Sequence, residues 1–177
     1  MILFPFFENI ENKRFLVIGG GSVAKGKINR LKQFTDNITV IAEHTDIKGA
    51  IIKPFEDGDI EKADYVIGAS DSGELNKHIS ELCKAKGIPV NIVDNPKLCT
   101  FIFPSLIKRG DLVIGITSTG KSPAFSQYIR KEAEKVIPEN TEEIIDELYE
   151  LRNKLKKTEP DQKKRSEILK KKLQELL

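Results

Sequence analysis

The segment RFLVIGGGSVAKGK, residues 14–27, leaves the chain few folds to adopt. A short run of apolar β-formers ends on three glycines and passes straight into a pattern with Val23, Ile28, Leu31 and Phe34 near helical spacing. A strand that is apolar on both faces must be covered on both faces. The next segments supply the cover. NITVIAE reads as a second strand, GAIIKPF as a short third one and ADYVIGAS as a fourth. GELNKHISELCKAKG reads as a helix with Leu75, Ile79 and Leu82 on one face and a stop at Gly87, and IPVNIVD as a further strand. Continuous apolar strands alternating with helices predict an α/β fold, a parallel sheet with helices on both sides.

Beyond residue 104 the pattern changes. In 105–138, DLVIGITSTG reads as a strand and SPAFSQYIRKEAEKVI as a helix, with Ser122 at its cap and Pro123 in its first turn. Residues 139–177 are polar and helical. Ile144, Leu148, Leu151 and Leu155 form an apolar stripe, TEPD interrupts it, and Leu169, Leu173 and Leu176 resume it. This predicts a helical hairpin, either packed on the body or serving as a partner-binding tail. A net charge of +2 argues against a dedicated nucleic-acid binder. Cys83 and Cys99 form no CxxC, so neither a disulfide framework nor a zinc site is expected, and no metal ligands are assigned. The N-terminal stretch lacks a basic start, and no apolar run reaches membrane-spanning length. The expectation is a protein of the reducing cytoplasm with no membrane partner.

Gly19-x-Gly21-x-x-Ala24, after a strand and opening a helix, is the dinucleotide-binding fingerprint with alanine as its third small residue. Gly19 permits the tight turn, Gly21 lets the backbone approach a pyrophosphate, and Ala24 allows close helix–strand packing. Glu43 follows the second strand, 24 residues after Gly19. A carboxylate there can accept hydrogen bonds from a ribose and would repel a 2′-phosphate, which favours NAD over NADP. The competing reading is a glycine-rich turn and an unrelated glutamate. His44 either flanks the adenosine or is an exposed loop residue, and His78 reads as a packed or surface histidine. GASDSGELN, residues 68–76, either lines the cofactor at a strand's carboxyl end or caps the next helix through Asp71 or Ser72. Asp94 ends the fifth strand before Asn95-Pro96. It is a turn residue or a base at the lip of the sheet. Ser122 at a helix start, with Lys121, Arg130 and Lys131 nearby, could receive an anion or simply cap its helix. Residues 105–135 are net basic, which suits a substrate with several carboxylates.

Taken together and in order, LFPFFENIENKRFLVIGGGSVAKGK, GASDSGELN and NIVDNPKLCTFIFPSLIKRGDLVIGITSTGKSPAFSQYIRKE resemble the precorrin-2 dehydrogenases, the oxidase–chelatase module of siroheme synthases. The resemblance covers roughly residues 1–137. It implies a Rossmann domain at 1–104, a small α+β dimerisation region at 105–138, a C-terminal helical domain at 139–177, and a homodimer. It implies NAD-dependent oxidation of precorrin-2 to sirohydrochlorin, with ferrous iron insertion as a second activity in some members. By position it puts Gly19, Gly21, Ser22 and Val23 at the pyrophosphate and Glu43 and His44 at the adenosine end. Ala69, Ser70 and Asp71 fall near the nicotinamide. Asp94 matches the proposed acid/base, and Ser122 a serine beside the tetrapyrrole that is phosphorylated in some relatives. Lys121 and Arg130 join Ser122 as candidate substrate-binding residues. Multifunctional relatives carry a methyltransferase domain, so a chain ending at Leu177 is expected to receive precorrin-2 from a separate enzyme. A non-catalytic NAD-sensing dimer is the alternative of a different class.

Overall fold

In the computed structural model, which describes residues 2–177, two compact units divide the chain between Phe103 and Pro104. The first is built on five parallel strands: β1 (Phe15–Ile18), β2 (Ile38–Ala42), β3 (Ile51–Ile52), β4 (Tyr65–Gly68) and β5 (Val90–Ile92). Their spatial order is β3-β2-β1-β4-β5. β1 pairs with β2 from Phe15↔Ile38 and with β4 from Phe15↔Tyr65, so all four of its residues are flanked on both sides. This is the order of a Rossmann half with its reversal between β1 and β4, and such sheets bind ligands in the crevice at the carboxyl ends there.

The alternation of side chains along β1 divides the core in two. Phe15 and Val17 face helix α1 (Ser22–Leu31) and pack with Ala24, Ile28 and Leu31. Leu16 and Ile18 face the other way, toward Ile79 and Cys83 of helix α2 (Gly73–Ala85) and toward Ile60. Ile60 belongs to a 3-10 turn, Asp57–Lys62, that replaces a crossover helix between β3 and β4. Ile60 and Ile79 are fully buried. Each contributes roughly 1.5–3 kcal/mol.

The buried stripe of α2 is Asn76, Ile79, Ser80 and Cys83, flanked by Leu75 and Leu82. The apolar periodicity of Leu75, Ile79 and Leu82 finds the centre of this stripe at Ile79 and its two flanks. Two polar residues lie inside because each has a partner. The Ser80 hydroxyl donates to the Leu98 carbonyl at 2.7 Å, and Asn76 binds the backbone of Ser70.

In the second unit, β6 (Ser105–Arg109) and β7 (Leu112–Ile116) form an antiparallel hairpin turning at Gly110, which has φ +53°. The β7 strand was expected and β6 was not. Its sequence, SLIKR, is half polar and becomes a strand only by pairing with β7. Helix α3 (Pro123–Lys135) packs on the hairpin. Helices α4 (Thr141–Thr158) and α5 (Gln162–Leu176) form the expected helical hairpin.

Candidate functional site

Three carboxyl-end loops of the first unit converge because the backbone ties them together. Gly19 follows β1 at φ +120°, and its N–H donates to the Ile41 carbonyl at 2.9 Å. A Cβ on Gly19 would lie 2.2 Å from the Ala69 carbonyl oxygen. The Ala69 N–H in turn donates to the Ile18 carbonyl at 2.7 Å. Gly20 is as confined, since a Cβ there would meet Cβ of Thr45 at 2.4 Å. The Thr45 hydroxyl donates to the Gly20 carbonyl at 2.9 Å and fastens the loop after β2 to the glycine turn.

Gly21 differs from its neighbours. It caps α1 with extended backbone, and a Cβ there would meet nothing within 4 Å. No side chain caps the helix, and its first turn holds no acid. The N–H groups of Ser22 and Val23 therefore face an open space at the positive end of a helix dipole, an arrangement that accepts a phosphate. The glycine fingerprint points to Gly21 at such a turn and the family resemblance to Ser22 and Val23 beside it, and the residues present fit a dinucleotide. Glu43 and His44 follow β2 at the same edge and are exposed.

Ala69, Ser70 and Asp71 follow β4. Ala69 is buried, Asp71 is exposed, and Ser72 rather than Asp71 caps α2, its hydroxyl accepting from the Leu75 N–H at 3.2 Å. Asn76 holds this loop from below. Its amide donates to the Ser70 carbonyl at 2.8 Å, and its carbonyl accepts from the Ser70 N–H at 3.2 Å. Sequence reasoning missed Asn76. Its signal was a polar residue one turn before Ile79 and Ser80 on the face that packs inward.

Asp94 lies at the carboxyl end of β5, exposed, with φ +57°. The left-handed region is uncommon for residues with a Cβ, aspartate being one of the few that enter it, and the conformation persists where the surroundings over-determine it. Here Cys99 does so. The Ile92 N–H donates to its sulfur at 3.1 Å, and its thiol lies 3.2 Å from the Ile92 carbonyl and 3.3 Å from that of Asn95. Thr100 continues the clasp, its N–H donating to the Val90 carbonyl at 2.8 Å. Cys99 is a backbone fastener. Burial pushes its thiol up from the ordinary value.

Ser122, Lys121 and Arg130 belong to the second unit. The Ser122 hydroxyl accepts from the Phe125 N–H at 3.3 Å and so caps α3. Arg130 is paired with Glu134 one turn on, at 2.7 Å. Among the described residues no group of three His, Cys, Asp or Glu side chains could hold a metal ion, and no helix is long and apolar enough to cross a membrane.

Residues 6–105 match a family model described as "Putative NAD(P)-binding". The chain is 37% identical to the siroheme synthase of Ruthia magnifica subsp. Calyptogena magnifica over 86% of its own length and 34% of the relative's. It is 36% identical to that of Thioalkalivibrio sulfidiphilus (strain HL-EbGR7), over 78% of this chain and 30% of the relative. The chain thus spans about a third of the length of the curated relatives it matches. Among solved structures, "SirC, precorrin-2 dehydrogenase" superposes with a TM-score of 0.75 at 19% identity, covering 96% of this chain and 88% of that one, which is a likeness of fold. With the strand order, the open glycine turn and a family match over more than half its length, the chain belongs to the NAD(P)-binding family and is related to a portion of the siroheme synthases.

Proposed function

We propose that this protein is an NAD-dependent precorrin-2 dehydrogenase, oxidising precorrin-2 to sirohydrochlorin in siroheme biosynthesis. The observation that carries the reading is Asp94, an exposed carboxylate in left-handed backbone at the same sheet edge as the open turn at Gly21. Gly19, Gly21, Ser22 and Val23 hold the pyrophosphate, Glu43 and His44 the adenosine ribose end, and Ala69, Ser70 and Asp71 line the nicotinamide end. Glu43 makes the cofactor NAD rather than NADP by repelling a 2′-phosphate.

When bound, NAD supplies the acceptor for a hydride. Removing the two hydrogens of this oxidation as hydride and proton leaves the proton for the protein, and Asp94 takes it on a carboxylate oxygen. Being exposed, Asp94 releases that proton to water without a relay. Asn95 and Pro96 turn the chain away and leave the carboxylate clear. In the second unit, Ser122, Lys121 and Arg130 contribute to binding the acidic side chains of the macrocycle. Two chains form a homodimer, and the protein works in the cytoplasm without nucleic-acid or membrane partners.

The test is an anaerobic assay with precorrin-2 and NAD, following NADH and the macrocycle spectrum, with Asp94→Ala alongside. The expected result is turnover by the wild type and a fall of about 10²–10⁴-fold in the variant, typical for a lost general base. NAD binding is retained. Good NAD binding with no turnover by the wild type would replace the dehydrogenase with an NAD-sensing module.

A further inference from the structure

Lys27 on α1 has no part in the site described so far. Its side chain is half-buried, with Nζ 4.2 Å from the centroid of the Phe103 ring. Phe103 is fixed at the end of an aromatic row, 5.7 Å from Phe101, which meets Tyr65 edge-on. Among the described residues the ammonium has neither an ion-pair partner nor a hydrogen-bond acceptor. A lysine stem can usually carry its charge out to water, and a half-desolvated ammonium without an acceptor is unfavourable. The π face of Phe103 offsets part of that cost. The charged and titratable groups whose charge acts on the Lys27 ammonium are Arg30 from its own helix and Cys99 and Asp94 from the segment after β5. The candidate proton acceptor and an unpaired cation therefore belong to the same unit, within range of each other's charge.

We infer that Lys27 is a substrate-anchoring residue that receives a carboxylate of the tetrapyrrole's acidic side chains and so orients the macrocycle against Asp94. This rests on the dehydrogenase reading and adds to it a residue that selects a polyanionic substrate. Burial lowers the Lys27 ammonium to about 8, with Arg30 adding to the shift and Cys99 and Asp94 opposing it. The anchor is therefore charged below that pH and is lost as pH rises through it.

Two variants separate the roles. Lys27→Met keeps an apolar stem on Phe103 without charge, and Lys27→Arg keeps a charge that does not titrate in this range. The measurements are KM and kcat for precorrin-2, the Kd for sirohydrochlorin by absorbance titration, and NAD affinity, between pH 6.5 and 9. For Lys27→Met the expected result at pH 7 is a rise of about 10- to 100-fold in both KM and Kd, the scale of a lost charged hydrogen bond. NAD affinity and kcat change little. Substrate affinity of the wild type should weaken above about pH 8, while that of Lys27→Arg stays level. Unchanged KM and Kd in a folded Lys27→Met overturns the inference. So does a fall in kcat at constant KM, which would make the charge act on the chemical step. If the wild type binds sirohydrochlorin and turns over but Lys27→Arg shows the same pH dependence, Lys27 is not the titrating anchor. A wild type that neither binds sirohydrochlorin nor oxidises precorrin-2 overturns the dehydrogenase reading and this inference with it.

Discussion

One methyl group distinguishes two glycines of the same turn. At Gly19 a Cβ would collide with backbone, the Ala69 carbonyl, and the φ of +120° is already outside the range of L-residues. At Gly21 the same atom enters open space, with φ −76° that alanine adopts freely. The fold therefore requires glycine at 19 and does not require it at 21. Gly19→Ala should destabilise the protein by at least about 1–3 kcal/mol through strain. Gly21→Ala should leave stability within about 1 kcal/mol of the wild type, yet weaken NAD binding about tenfold or more by placing a methyl where the pyrophosphate approaches. Urea unfolding beside an NAD titration reads both, and a Gly21→Ala protein with wild-type NAD affinity would displace the pyrophosphate from this turn.

Elements are held at the opposite, amino-terminal edge of the sheet by a tie between the residues entering β1 and β4. Asp64 accepts from the Arg14 backbone N–H at 2.8 Å and from its Nε at 2.9 Å. The Arg14 side chain first, and its backbone second, hold the Asp64 carboxyl down at about 2. A carboxyl depressed in the folded state stabilises it fully above the ordinary value near 4, and that contribution fades as pH falls toward about 2. Against Asp64→Asn, the wild type should hold a higher urea midpoint at pH 5–7, and the gap should close between pH 4 and 2. A gap that persists at pH 2 would mean the tie acts through shape and not charge. The tie is solvent-exposed, so its effect is modest. Neither it nor the Asn76 clamp is legible in the chain, because each joins residues of different elements through hydrogen bonds that leave no periodic trace. The strands, α1, α2 and the glycine turn were legible, since burial on both faces and helix–strand contact impose patterns on neighbouring residues. Asp94 was legible as a position, at a strand's end before a proline. Its left-handed backbone was not, because that depends on Cys99 reaching back from five residues further along.

At the scale of the whole molecule, apolar residues are divided unequally. The first unit buries two dense clusters around its sheet. In the second unit the buried hydrophobics are Ile107, Ile144 and Leu155, and α5 buries none. Ile145, Leu148, Tyr149, Leu169 and Leu173 instead line an open groove along the α4–α5 hairpin. So little burial is a weak return for ordering two long helices, each residue of which gives up roughly 1–2 kcal/mol of backbone entropy. Association with a second copy through this unit would supply the missing burial. We therefore expect a dimer at micromolar concentration by sedimentation velocity. Leu148 and Leu173 are already partly covered, so burying the rest would contribute about 1 kcal/mol apiece, from two side chains on each chain, and Leu148→Lys with Leu173→Lys should weaken association by about a thousandfold. The double variant should sediment as a monomer and keep its NAD affinity, because the glycine turn is built entirely within the first unit. A wild type that sediments as a monomer would mean that the hairpin is stable with its groove in water. Dimers that survive the double substitution would place the contact on another surface, such as the exposed Phe125 and Tyr128 of α3.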